Sequence, residues 1–380
     1  MHTENMRRAI HACQGAVMVL AGYDAMQLSG DMAAPFLQEA NFWWLTGIEE
    51  PGWKVIVEGS RARMTLVRPI RSDVQALFEG GLDDERILQV SGARRIIRED
   101  EFEHELSQLA RTHPRVLTVT NKQEGMHVNP AQAQLRAVLE RVFERVESCN
   151  RQFAELRAIK QPVELDRVKR AVSVSVKAYQ AVRANWDAYK YEYEVEADFT
   201  FAFQKDGRYG HAYAPIVASG PRACTLHYGS NAERVSKRSA TVVDIGARVG
   251  GYCADITRTY CTNPTKRVVE VHRAVQQAQR QIIDLLSPGL PVMDYIKQSD
   301  TIMQAAVMSL GLMKDSQDTA SYRKYFPHAV SHGLGVDVHD SLGAPRYFKA
   351  GMLLTVEPGI YIPEEGVGVR IEDDILITET

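Results

Sequence analysis

No stretch of this sequence approaches the ~20 consecutive apolar residues that would carry a chain across a bilayer. The longest apolar run near the N-terminus, Ala16 to Ala21, is also short for a signal-peptide core and reads as a buried strand. Neither sign of charge dominates: 45 Lys and Arg stand against 48 Asp and Glu, a net charge of −3 with no block of like charge. That balance excludes nucleic-acid binding by phosphate attraction. Cysteine is sparse, and the five residues Cys13, Cys149, Cys224, Cys253 and Cys261 are dispersed without the CxxC spacing of a structural zinc site. Reduced thiols in a cytoplasm are the simplest reading. Low-complexity segments and repeats of about 20–50 residues are missing as well. What remains is a globular composition, 45% hydrophobic and 24% charged, over 380 residues, enough for about two or three domains.

The chain divides by pattern. Its first part alternates short apolar runs, Ala16–Ala21, Trp43–Leu45, Trp53–Val57 and Met64–Val67, read as strands, with helical patterns at Asp84–Val90 and Glu101–Arg111. This predicts a smaller N-terminal α/β domain over residues 1–149. A long amphipathic helix opened by Pro162 follows, running to about Trp186. Residues 150–380 then carry helices at Glu194–Phe203, Lys266–Leu286 and Met293–Leu310, and strands at Thr241–Val249, Tyr252–Cys261, Met352–Ile362 and Val367–Ile377. Helices grouped against antiparallel pairs predict an α+β domain.

Those strands form two hairpins that each present a pair of acids. Thr241–Cys261 reads T-V-V-D-I-G-A-R-V-G-G-Y-C-A-D-I-T-R-T-Y-C around a glycine turn. With the turn centred on Val249–Gly250, partners have numbers summing to 499, as Asp244 and Asp255 do, which would put their Cβ atoms ~5 Å apart. Leu353–Ile377 repeats the arrangement. Centring on Glu364–Glu365 pairs numbers summing to 729, as Glu357 and Glu372 do, unless Pro358 or a bulge shifts the register. Either pair alone is most simply an exposed feature of an ordinary hairpin. Two like-charged pairs among apolar residues are costly unless a cation compensates them.

Between the hairpins, F-P-H-A-V-S-H-G-L-G-V-D-V-H-D sets His328, His332 and His339 within twelve residues. A lone histidine is usually a satisfied imidazole, but three of the chain's eleven gathered here favour a site. Four carboxylates and an imidazole suit two divalent ions per subunit, manganese favoured, cobalt and zinc as alternatives. Two ions ~3.5–4 Å apart can hold a hydroxide and polarise a neighbouring carbonyl, so hydrolysis is the natural chemistry.

These residues resemble the pita-bread metallopeptidases, the family of methionine aminopeptidase, aminopeptidase P and prolidase. The similar motifs are V-D-I-G-A at Asp244, A-D-I-T-R-T at Asp255, S-H-G-L-G-V-D-V-H-D holding His332, T-V-E-P-G-I-Y at Glu357 and V-R-I-E-D-D at Glu372. His227–Tyr228 after I-V-A-S-G, and the N-terminal P-F-L-Q-E-A-N-F-W-W-L-T-G-I-E-E-P-G, look like the proline-specific branch. Departures are Ala329, where a glycine is common, and an end at Thr380 soon after the last acid.

The resemblance implies a pita-bread catalytic domain in which Asp255 and Glu372 bridge two metals, Asp244 chelates one, and His332 and Glu357 bind the other. Glu357 would also shuttle the proton from the bridging water. His227, His328 and His339 would line the substrate side, and Thr257 would orient Asp255. Arg370 would lie beside the site, either reading a substrate carboxylate or pairing with an acid such as Asp244. The implied substrate is a small peptide with proline after its N-terminal residue, and the implied assembly a homodimer, with no nucleic-acid or membrane partner. An Xaa-Pro dipeptidase (prolidase) is favoured, with Xaa-Pro aminopeptidase as the alternative. A second class, a binding module or a metal-free amidinohydrolase (creatinase) of the same fold, is set against by the intact ligand set.

Overall fold

The computed structural model describes residues 1–120, 129–207 and 209–379, which fall into two compact units, Met1–Leu156 and Arg157–Thr380. The boundary expected near Cys149 lies at the start of the helix Asn150–Ala158, within which the units divide. None of the described helices is long and apolar enough to cross a membrane.

The first unit is built on a six-stranded sheet. From edge to edge its strands are Arg95–Arg98, Arg63–Arg68, Lys54–Glu58, Val17–Ala21, Arg115–Thr118 and Arg145–Ser148. Val17–Ala21 is buried throughout because it pairs on both sides, antiparallel to Lys54–Glu58 and parallel to Arg115–Thr118. The helices Phe102–Ala110 and Pro130–Val142 cover it with Leu106, Leu109, Leu135 and Leu139. One expected strand is a helix: Trp43–Leu45 lies within Ala40–Thr46. The Glu39 carboxylate accepts from Phe42 N–H at 2.7 Å to start it, and Gly47 ends it at φ 70°. A short run that is apolar at nearly every position has no period to separate helix from strand, so only these caps decide.

In the second unit the helices Pro162–Ala184, Glu192–Lys205, Lys266–Leu285 and Val292–Ser309 form close to their expected bounds. The strands differ, because each long run is broken in two. The pieces are Thr241–Asp244 and Ala247–Val249, Tyr252–Cys253 and Thr257–Tyr260, Leu353–Val356 and Gly359–Ile362, Val367–Arg370 and Asp373–Leu376. Asp244 ends a piece, and Asp255, Glu357 and Glu372 all lie in the breaks.

The register of the second hairpin is the expected one. Gly359 pairs with Arg370 and Val356 with Asp373, all summing to 729, which carries Glu357 opposite Glu372. The first hairpin is shifted by two: Asp244 pairs with Thr257, and Val249 with Tyr252. Its turn is Gly250–Gly251, both at positive φ (53° and 84°), the backbone a tight two-residue hairpin needs at both central positions. A two-residue shift preserves the face, so Asp244 and Asp255 become diagonal neighbours and not direct ones.

Each hairpin has its own helical layer. Val174, Ala178, Val195 and Phe199 pack on Val243 and Ile245, while Val271, Val275 and Ile282 belong to the core that holds Val356, Ile360 and Val369. The hairpins join where Glu372 N–H donates to the Thr257 carbonyl at 3.1 Å. At the first break, the Tyr179 hydroxyl lies 3.0 Å from the Val243 carbonyl and 2.5 Å from that of Ile256, and accepts from Ile245 N–H. The Ile245 N–H keeps its bond to the Ile256 carbonyl at 3.1 Å, and the Tyr179 hydroxyl braces both groups at the bend.

At that bend a Cβ on Gly246 would lie 1.8 Å from the Ala254 carbonyl oxygen. Gly246→Ala should cost about 1–3 kcal/mol of stability and weaken divalent-ion binding, whereas Gly30→Ala, with open space around it, should do neither. Thermal melts and metal titrations check this; a fully stable Gly246→Ala protein would contradict it.

Candidate metal centre

The breaks and the strand-like segment after His328 deliver their side chains to one cavity of about 890 Å³. Nine of the ten side chains singled out from the sequence line it, all but Thr257: Asp244, Asp255, His332, Glu357, Glu372, His227, His328, His339 and Arg370. Donor atoms of Asp255, His332 and Glu372 lie within 4.8 Å of one another. His332 Nε2 is 3.5 Å from Asp255 Oδ2 and 3.4 Å from Glu357 Oε1.

Local bonds fix these groups. His332 Nδ1 faces the Gly333 carbonyl at 2.9 Å, and a carbonyl only accepts, so Nδ1 carries a proton and Nε2 is the nitrogen turned toward the carboxylates; burial lowers the pKa of the ring, but Asp255 and Glu357 outweigh it and raise it. The Thr355 hydroxyl accepts from His332 N–H and donates to Glu357 Oε1. Asp244 is gripped by the Tyr213 hydroxyl at 2.6 Å and by Arg370 Nη2 at 2.7 Å. The resemblance implies that Thr257 orients Asp255, but its hydroxyl donates to Glu372 Oε2 at 2.7 Å, because the bridge that joins the two hairpins pairs Thr257 with Glu372. Asp255 is held instead through its backbone N–H, which donates to the Asp374 carboxylate at 3.1 Å.

Arg370 is fully engaged. Besides Asp244 it donates from Nη1 to the Tyr361 hydroxyl at 2.9 Å and from Nε to Thr257 Oγ1 at 3.3 Å, and it is only 4% exposed. Tyr361 in turn donates to His328 Nε2 at 2.9 Å, while His328 Nδ1 donates to the Ala329 carbonyl. Both nitrogens of His328 are therefore occupied, and burial pushes its pKa down to about 4. The His339 ring lies 4.3 Å from that of His332, tilted by 58°, and is more open, as is His227.

The acids are poorly compensated by the protein alone. Burial pushes Glu357 up to about 7, His332 and Arg370 pulling the other way. Burial and then the charges of Asp255, Glu357 and Asp244 raise Glu372 well above the usual carboxylate range. Asp244 is raised by burial against the pull of Arg370, and Asp374 by burial and Asp255. An oxygen-rich set with one oriented imidazole and an excess of buried carboxylate fits divalent cations.

Tyr213, Thr355, Tyr361 and Asp374 escaped the sequence reading. Asp374 and Thr355 each had a signal, standing two residues from Glu372 and Glu357 on the same strand face, and Tyr361 lies in the same run as Glu357. Tyr213 comes from a segment that no spacing links to the ligands.

The model of metallopeptidase family M24 matches residues 166–379, and that of the aminopeptidase P N-terminal domain matches residues 2–118. The Xaa-Pro aminopeptidase of Haemophilus influenzae is 30% identical, the match covering 92% of this chain and 85% of that protein. Among solved structures, proline aminopeptidase P II from Yersinia pestis superposes with a TM-score of 0.86 at 28% identity, over 100% of this chain and 94% of that one. Zinc-substituted E. coli aminopeptidase P in complex with product gives 0.86 at 26% identity, over 100% and 93%.

The raised acids set a sign for pH dependence. Unfolded, their carboxyls lose protons near ~4.3, whereas the folded metal-free protein keeps protons on Glu357 to about 7 and on Glu372 beyond its usual range. The native state then binds more protons, so this contribution to stability falls as pH rises through that window. A divalent ion displaces those protons. The gain in Tm on saturation with Mn²⁺ should therefore grow between about pH 6 and pH 8, and a gain that is constant or shrinking in scanning calorimetry would contradict the assignment.

Proposed function

The chain belongs to metallopeptidase family M24, and on that premise we propose that it is an Xaa-Pro aminopeptidase, releasing the residue ahead of a penultimate proline from peptides longer than two residues. It is a metallopeptidase; the proposal concerns its substrate and the roles of its residues. The dipeptidase preference drawn from the sequence gives way here. The observation that carries the change is Arg370: among the described residues lining the cavity it is the one Arg or Lys, and its guanidinium is committed to Asp244, Tyr361 and Thr257. A dipeptidase needs a cation for the proline carboxylate, whereas an aminopeptidase must leave that direction open. The relatives compared above, aminopeptidases by name, favour the same choice.

Asp244, Asp255, His332, Glu357 and Glu372 would hold two divalent ions, with manganese favoured over cobalt and zinc. When bound, the ions would supply Lewis-acid polarisation of the scissile carbonyl and acidify a water. Glu357, a carboxylate beside the seat of the ions and hydrogen-bonded by the Thr355 hydroxyl, is placed for both directions of proton transfer. It takes a proton from the attacking water as the new carbon–oxygen bond forms. It returns the proton to the proline nitrogen as the carbon–nitrogen bond breaks. That nitrogen bears no hydrogen in the substrate, so it cannot leave without this proton. His339 and His227, the open imidazoles, would donate to the carbonyl oxygen as it gains charge. His328, with both nitrogens engaged, shapes the wall and relays the position of Tyr361. A cytoplasmic homodimer completes the reading; five free thiols, buried or half-buried, support the reducing compartment.

Two assays test this. Tripeptides Xaa-Pro-Yaa and longer should be cleaved with kcat/KM at least about tenfold above that for Xaa-Pro, some 1.4 kcal/mol in transition-state binding, and amidating the dipeptide should not slow it. A preference for Xaa-Pro would return the assignment to the dipeptidase. Separately, Glu357→Gln should lose roughly 10²–10⁴ in kcat while keeping at least one ion. His339→Ala should lose less, and the reverse order at unchanged metal content would contradict the roles given.

A further inference from the structure

His339 stands on the loop 334–339, which is closed at its base by Asp340 N–H donating to the Gly333 carbonyl at 2.8 Å. The Asp340 carboxylate turns away from the cavity into the protein, where it is 4% exposed. Two cations meet it there. Arg157 Nη2 is 3.0 Å from Oδ1 and also reaches Asp337 Oδ2 at 2.8 Å, and Lys160 Nζ is 4.0 Å from Oδ2. The Lys160 side chain is 1% exposed, and among the described residues neither its Nζ nor Asp340 Oδ2 has a hydrogen-bond partner. The loop is moulded to this carboxylate, because a Cβ on Gly335 would fall 2.2 Å from Asp340 Oδ2 and 3.2 Å from Lys160 Cε. Arg248 Nη1 holds the Val336 carbonyl at 2.7 Å, and Cys253 N–H that of Gly335 at 2.9 Å.

Burying an ammonium and a carboxylate without a direct hydrogen bond is a poor way to stabilise a fold, since an apolar pair of similar volume does as well or better. What such a pair does supply is one allowed position. The groups it fixes are Asp340, directly after His339, and, through Arg157, Asp337, two residues before it.

We propose that Lys160 and Arg157 are positioning residues for the reaction: they clamp Asp340 and Asp337 and so set where the His339 imidazole meets the substrate. The inference rests on the aminopeptidase reading for its kinetic arm and on the structure alone for its spectroscopic one. Neither cation touches a proposed metal ligand, so the ions should be unaffected by their loss.

The test uses the zinc-loaded, diamagnetic enzyme and an Xaa-Pro-Yaa peptide. Lys160→Met should keep its metal content and lose roughly 10- to 100-fold in kcat, the range a small misplacement of a reacting group costs, with KM within about twofold. In a His339→Ala background the same substitution should cost less than about twofold, because the residue it acts through is gone. A full loss that persists without His339, or an undiminished kcat, overturns the proposal. If Lys160→Met does not fold, Asp337→Ala, at a 54% exposed side chain, removes one acceptor of Arg157 and should give a smaller loss with the same dependence on His339. Imidazole NMR decides independently of substrate. The His339 ring signals should move in Lys160→Met while those of His227 stay, and unmoved His339 signals contradict the clamp. A wild-type enzyme inactive on every Xaa-Pro peptide would sink the function without touching this second readout.

Discussion

Four of the carboxylates that line the cavity, Asp244, Asp255, Glu357 and Glu372, are buried or half-buried there, and their mutual repulsion is the constraint on which the rest depends. The protein answers one of them with a full cation, Arg370 on Asp244. For Asp255, Glu357 and Glu372 it offers the His332 imidazole and a few hydrogen bonds, which leaves Glu357 and Glu372 holding protons far above their ordinary range. Positive charge must come from outside the chain, and divalent ions supply it with the coordination number these oxygens need. The arrangement costs stability without the ions and returns it with them, so folding energy and ion affinity are linked.

The scaffold solves a geometric problem that follows from this. Acids in the middle of continuous strands would be spread along a face at ladder spacing, too regular to converge. Breaking each of the four strand runs beside an acid lets the carboxylates turn toward one point while the flanking pieces keep the register. The breaks leave backbone groups to satisfy, and buried side chains do so: Tyr179 at the first hairpin, Asp374 beneath Asp255, Thr355 beside His332. Gly246 is required for contact, where the backbone passes too close to Ala254 for any side chain.

How much of this can be read from sequence depends on the physical kind of each feature. The acids and histidines were legible because like charges among apolar residues are costly and therefore informative. The second hairpin's register was legible because its turn is marked by charged residues and one glycine. The first was misplaced by two, since V-G-G admits two centrings and only the backbone angles choose Gly250–Gly251. Trp43–Leu45 was misassigned because its caps, not its pattern, make it helical. The role of Arg370 stayed open between substrate and Asp244, and a three-dimensional neighbour settled it, as did Thr257's attachment to Glu372 in place of Asp255.

The central claim is that Asp255 and Glu372 are the shared seat of two cations, with Asp244 on one side and His332 with Glu357 on the other. Anomalous diffraction from manganese-loaded crystals tests it most directly. Two peaks roughly 3.5–4 Å apart are predicted, each in contact with oxygens of both Asp255 and Glu372. A single fully occupied peak, or two that do not share these carboxylates, would contradict the account.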